Sequence, residues 1–206
     1  MGRELSDDEQ YRLLTVARSS ASRSLYPALV TSIHTGLRNK ELRLLRWRQV
    51  DLLAGCITVG TSKTAGGEGR LVPLSQTALQ VLRGWRAQFP SALPEHYCFP
   101  RESYGLIGSK GAFGGTVTPC ETFPEQPVRS FATAWRTAKK AAGVECRWHD
   151  LRHSFVSMVA AGGASDQTLK ALAGWMSPKM IEVYRHSRNE AKRAAVSVLD
   201  NPGPIQ

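Results

Sequence analysis

From Val128 onward this chain is patterned almost without interruption for α-helices, and that pattern limits its fold more than any other feature. Phe131, Ala134, Trp135 and Ala138 recur at the three- and four-residue spacing of one helical face. Arg136, Lys139 and Lys140 fall elsewhere, and Gly143 ends the run. Residues 149–161 carry the next helix and 165–173 another, which Gly174 closes. Ser177-Pro178 sets an N-cap before a proline at the first helical position, opening a helix through Tyr184. A last, weakly amphipathic piece runs from Ala191 to Leu199, and Asn201-Pro202-Gly203-Pro204 then stops regular structure.

The first half is mixed. Ser6 and Glu9 form a capping box ahead of Leu13, Leu14 and Val16. A second helix covers about 25–34, with Pro27 in its first turn and a stop at Thr35-Gly36. A third, amphipathic piece turns Leu42, Leu45 and Trp47 inward and Lys40, Arg43 and Arg46 outward. Residues 56–59 and 71–74 read as short strands joined by a long hairpin loop over 60–70, and Thr77 to Phe89 reads as helix. The Gly- and Pro-rich stretch 100–127 is expected to be a mobile surface loop, and its glycines match neither phosphate-binding loop pattern. No internal repeat is present. The expected class is therefore mainly α with a small antiparallel β-sheet (α+β), in one domain of 206 residues.

Lys and Arg number 27 against 17 Asp and Glu, a net charge of +10, and each half of the chain carries +5. A basic tail is thereby excluded. Charge spread over a folded body favours a polyanion, nucleic acid above all, although solubility alone explains the same count. No apolar run approaches the roughly 18 residues of a membrane span, so a soluble, intracellular chain is expected. Met1-Gly2-Arg3-Glu4-Leu5-Ser6 matches the loose myristoylation pattern, but with no polybasic segment beside it the match reads as chance. Cys56, Cys98, Cys120 and Cys146 are far apart and read as reduced thiols.

Helical spacing puts His149, Arg152 and His153 on one side of a helix and Leu151, Phe155 and Met158 on the other. Two histidines four residues apart can bind zinc, but Asp150 stands where the metalloprotease motif needs Glu, and no third ligand is evident. Arg38 follows the Thr35-Gly36 break, where a guanidinium can grip a phosphate in bidentate fashion. Glu41, one turn on, can orient an arginine or a histidine. Taken alone, the pair reads as a surface ion pair, Lys63 as a solvated lysine, and Tyr184 and Trp175 as packing residues.

Together these segments resemble one family, the tyrosine recombinases or phage integrases. The resemblance rests on Thr35-Gly36-Leu37-Arg38 with Glu41, Leu45 and Trp47, and on Lys63 followed by Val72-Pro73-Leu74. It continues through His149-Asp150-Leu151-Arg152-His153-Ser154-Phe155, Ala173-Gly174-Trp175 and Tyr184-Arg185-His186, in that order, over about 6–190. The resemblance implies the catalytic-domain fold of DNA breaking-rejoining enzymes. It casts Tyr184 as nucleophile forming a 3′-phosphotyrosyl link and His149 as the acceptor of its proton. Arg38, Arg152 and Trp175 would hold the phosphate, Lys63 would protonate the leaving 5′-oxygen, and Glu41 and His153 would support them. It implies no metal, ATP or other cofactor, and double-stranded DNA as partner. It also implies a tetramer on DNA (a monomer alone), a trailing segment 191–206 that docks on a neighbour, and a cytoplasmic protein of bacterial or phage origin. The N-terminal domain that closes the family's clamp on DNA would be absent from this chain, as in a truncated form. Two other outcomes share the scaffold: DNA relaxation of the type IB topoisomerase kind, and a DNA-binding module without catalysis.

Overall fold

Local caps set the helix boundaries. In a computed structural model that describes residues 2–60, 69–107 and 116–174 with Met176, Glu182, Tyr184, Arg193, Val196 and Ser197, Ser6 Oγ accepts from the Glu9 N–H at 3.2 Å. Glu9 accepts in return from the Ser6 N–H at 3.0 Å, which opens α1 (Asp7–Arg18). Helix α2 (Leu25–Thr35) ends on Gly36 in the left-handed region, φ 62°. The third piece is shorter than its periodicity predicts: α3 covers Asn39–Arg43, and a 3₁₀ turn follows over Trp47–Gln49. Leu42, Leu45 and Trp47 are buried as expected. Arg43 and Arg46 are not simply outward, because Arg43 Nε donates to the Val128 carbonyl at 2.9 Å and Arg46 donates to the Tyr97 hydroxyl at 2.7 Å. The Arg46 guanidinium also lies over the Tyr97 ring, 4.2 Å from its centroid.

Strands β1 (Val50–Asp51), β2 (Cys56–Thr58) and β3 (Leu71–Pro73) form one antiparallel sheet in that order. Val50 pairs with Ile57 and Ile57 with Val72, so one row across the sheet is buried. Two residues are too few to show alternation, which is why β1 leaves no trace in the pattern. Helix α4 (Gln76–Ala87) starts on Ser75, whose Oγ accepts from Ala78 N–H at 3.2 Å.

The stretch expected to be a mobile loop is instead a second antiparallel pair, β4 (Pro100–Ile107) and β5 (Thr116–Pro127). Prolines argue against a central strand, but both strands of a two-stranded ribbon are edges, and a register shift falls between Ser103 and Tyr104, beside Pro119. The ribbon is tied down by Arg23, which donates to Glu102 at 3.0 Å and to Thr122 at 2.8 Å.

Helices α5 (Ala132–Ala142), α6 (Trp148–Ala161) and α7 (Asp166–Ala173) complete the described elements. Gly143 ends α5 at φ 62°, and Phe131, Trp135 and Ala138 are buried as the spacing requires. Leu151 and Phe155 of α6 are buried, but Met158 is exposed, because the inward stripe passes instead through Val156 and Ala160. Cys56, Cys98 and Cys146 are free thiols. Residues 61–68 of the hairpin loop expected over 60–70, Lys63 among them, the expected Ser177-Pro178 helix start, Trp175 and most of 177–199 lie outside the described residues, although Glu182 and Tyr184 are helical.

Two apolar clusters result. The larger gathers α1 to α5, the three-stranded sheet and Leu151. The smaller holds Phe155, Val156, Ala160, Leu169, Ala173, Met176 and Tyr184. Helix α6 contributes to both, and its polar residues lie at their seam.

Candidate active site

The site grows from the break after α2. Gly36 does two jobs there: its positive φ suits glycine, and a Cβ would lie 2.4 Å from the Phe155 ring. The close approach brings α6 against the break, and Arg152 NH1 donates to the Gly36 carbonyl at 2.8 Å while NH2 donates to the carbonyl of Ala173. One buried guanidinium thus joins the end of α2 to the end of α7. Burial presses its pKa down to about 10, and the charges of Arg38 and Arg70 push the same way; the Gly36 carbonyl it holds stands two residues before Arg38.

Arg38 is the N-cap residue of α3. Its N–H donates to Glu41 Oε2 at 2.9 Å and its NH1 to Oε1 at 2.8 Å. Glu41 is 5% exposed while the Arg38 side chain is 22% exposed, so the ion pair suggested by this segment alone is buried at its carboxylate and half-buried at its guanidinium. A second arginine, Arg70, meets the same carboxylate through NH1 at 3.2 Å and NH2 at 2.6 Å, and its Nε donates to the Leu172 carbonyl at 3.0 Å. The sequence reading did not single out Arg70. A signal was present: strand alternation puts position 70 on the face of Val72, which is fully buried, whereas Leu71 is exposed.

The first turn of α6 is held by Asp150. Its carboxylate accepts from Arg147 N–H and NH2, both at 2.8 Å, and from Arg3 N–H at 3.4 Å. Burial alone would raise the Asp150 pKa, and these hydrogen bonds outweigh it and hold the carboxyl below its ordinary value. Residues 2–5 run along the same turn. Leu5 N–H donates to Ser154 Oγ at 2.9 Å, and Gly2 packs so tightly on the His153 imidazole that a Cβ would lie 2.1 Å from it. Nothing in the sequence pattern pointed to this strap.

Tyr184 is buried, and its hydroxyl shares a short hydrogen bond with His153 Nδ1. His149 meets His153 edge-on with ring centroids 4.9 Å apart. The residue in contact with the phenol is therefore His153, not the His149 singled out as proton acceptor. Burial, with nearby positive charge, pulls both imidazoles below their ordinary pKa, so both are neutral at pH 7. Burial also pushes the Tyr184 phenol up to about 12, against the pull of Arg152. The geometry thus unites Arg38, Glu41, Arg152, His153 and Tyr184, with His149 at the edge; Lys63 and Trp175 lie outside the described residues. Among the described residues no three His, Cys, Asp or Glu side chains converge as metal ligands, and no helix is long and apolar enough to cross a membrane.

A centre of this composition can hold an anion beside a neutral phenol and a neutral base. Most of the chain is similar to known proteins. The model of the phage integrase family matches residues 3–191. The integrase of Salmonella phage P22 is 28% identical over 156 residues, 75% of this chain and 37% of its own length. Tyrosine recombinase XerC of Xanthomonas campestris pv. campestris (strain B100) is 27% identical over 183 residues, 88% of this chain and 50% of its own. The chain thus spans half or less of these relatives. The catalytic domain of bacteriophage HP1 integrase superposes with a TM-score of 0.62 at 21% identity, covering 99% of this chain and all of that domain, which shows the shared fold.

Proposed function

Since the chain belongs to the phage integrase family, we propose that it is the catalytic domain of a site-specific recombinase that cuts and rejoins double-stranded DNA through a phosphotyrosyl link on Tyr184. What supports this reading is that Arg152 holds the Gly36 carbonyl two residues before Arg38, while Tyr184 sits on His153, the residue next to Arg152.

In the proposed reaction the Tyr184 oxygen attacks phosphorus, forming a new P–O bond as the bond to the 5′-oxygen breaks. The phenol proton goes to a neutral histidine, and Lys63 gives one to the departing 5′-oxygen, so atoms and charge balance. Arg38 and Arg152 hold the non-bridging oxygens, where negative charge grows in the transition state. Trp175 is proposed to donate its indole N–H to the same phosphate. A phenol with a pKa near 12 is a poor nucleophile at pH 7, so the reaction needs both the base and the cationic field. Tyr184 rests on His153. Transfer to His149 then requires the phenol to leave His153 when DNA binds, with His153 and Glu41 as supports.

Because a phosphodiester is exchanged for a phosphotyrosine ester of similar energy, the cut can be resealed by another strand's hydroxyl without ATP or metal. The partners proposed are double-stranded DNA and, on it, three further copies of the protein. The proposed setting is the cytoplasm of a bacterium, with a bacterial or phage gene, and one catalytic domain spanning 1–206.

The test is a nicked suicide duplex, on which loss of the short downstream strand prevents resealing. The 206-residue chain should become covalently joined to DNA, and Tyr184→Phe should not. Equal adduct from both proteins would overturn the nucleophile, and uniform relaxation of supercoiled plasmid by a monomer would favour a topoisomerase.

A further inference from the structure

We propose that Arg70 is a positioning residue for strand cleavage, acting through Glu41 on Arg38; the inference rests on the recombinase reading above. A guanidinium this buried is not there for solubility. Arg70 spans two places that the chemistry needs in register. One is the Glu41 carboxylate at the start of α3, and the other is the Leu172 carbonyl near the end of α7. Arg152 makes a parallel link between Gly36 and Ala173, each one to a few residues away from the ends of the Arg70 link. The two struts together fix the separation between the segment carrying Arg38 and the segment leading into Trp175.

Arg70 also divides the carboxylate. Glu41 Oε1 accepts from Arg38 NH1 and Arg70 NH1, and Oε2 accepts from Arg38 N–H and Arg70 NH2. Remove Arg70, and the whole carboxylate turns to Arg38, drawing that guanidinium inward and cancelling more of its charge where a phosphate needs it. A lysine cannot replace Arg70, because one ammonium does not reach two carboxylate oxygens and a carbonyl with a planar fork.

The experiment compares wild type, Arg70→Met and Arg70→Lys in the 206-residue chain. Single-turnover cleavage is measured on a suicide duplex with either a phosphodiester or a neutral methylphosphonate at the scissile position. On the phosphodiester, Arg70→Met should cleave about a hundredfold more slowly, the size of losing one transition-state donor, with DNA affinity within about threefold of wild type. On the methylphosphonate, which carries less charge for Arg38 to offset, the deficit should shrink to less than about tenfold. Arg70→Lys keeps the buried charge and guards against a variant that does not fold. It should show the same substrate-dependent deficit in weaker form. Cleavage by Arg70→Lys equal to wild type on both substrates would overturn the proposal, as would equal deficits on both, which mean a general loss of structure. No adduct from wild type on either substrate would instead overturn the recombinase reading, and the Arg70 proposal with it.

Discussion

Replacing Glu41 by glutamine removes a negative charge from between two guanidinium groups and leaves the side-chain volume almost unchanged. Among the described residues the carboxylate accepts hydrogen bonds from Arg38 and Arg70 on both of its oxygens, two on each. A glutamine carbonyl keeps two of these. Whichever way it points, its NH₂ group must face one Arg38 donor and one Arg70 donor, donor against donor. The Glu41 side chain is 2% exposed and that of Arg70 5%, so water cannot substitute, whereas Arg38 at 22% is partly screened. The cost is therefore dominated by the Arg70 side of the cluster. Breaking a buried pair from one side costs about 3–5 kcal/mol. For a domain of this size that corresponds to a fall in Tm of roughly 6–20 °C. Thermal unfolding followed by circular dichroism at pH 7 measures it. A drop smaller than about 2 °C would show that the carboxylate is not the charge holding this centre together, and the account of the site would fail with it. The companion variant Glu41→Leu with Arg70→Met removes the pair from both sides and should recover most of the lost Tm, since apolar residues of similar volume tolerate such a position.

Other perturbations test separate parts of the structure. Gly36→Ala combines a strained φ of 62° with a Cβ 2.4 Å from Phe155, and should destabilise by about 2–4 kcal/mol in urea unfolding; a value below about 0.5 would remove the case for close packing at this break. His149→Ala should slow suicide-substrate cleavage by about a hundredfold or more, and His153→Ala by about tenfold; the reverse order would assign the proton to the imidazole that touches Tyr184 in this structure. Arg3 holds the Glu9 carboxyl down at about 2, against an ordinary 4.5. A depressed carboxyl contributes stability above its unfolded pKa and loses it as pH falls through the folded value. The Tm gap between wild type and Glu9→Gln should therefore be full at pH 7 and close between pH 4.5 and about 2. A gap independent of pH would mean that the two side chains do not interact as charges.

Much of the fold was legible because capping and face periodicity are local. Ser6 with Glu9, Gly36 and Gly143 each act within a few residues, and the structure ends or begins helices where they stand. The ribbon over 100–127 was not legible, because its prolines and glycines signal irregular chain, and only pairing with a second edge and anchoring by Arg23 make strands of it. Among the site residues, motif order brought out Arg38, Arg152 and Tyr184. Arg70 was passed over because an arginine in a strand is charged by type and buried only by context.

Local chemistry along the chain sets which side chains are at hand and where the helices start and stop, since those choices are settled within one or two turns of chain. What those side chains touch is set by long-range packing. Arg152 reaches a carbonyl 116 residues away, and Arg70 reaches one 102 residues away. The phenol rests on one imidazole of a neighbouring pair. Burial and nearby charge move the pKa values of Arg152, His149, His153 and Tyr184, and both exist only after segments far apart in the chain have packed.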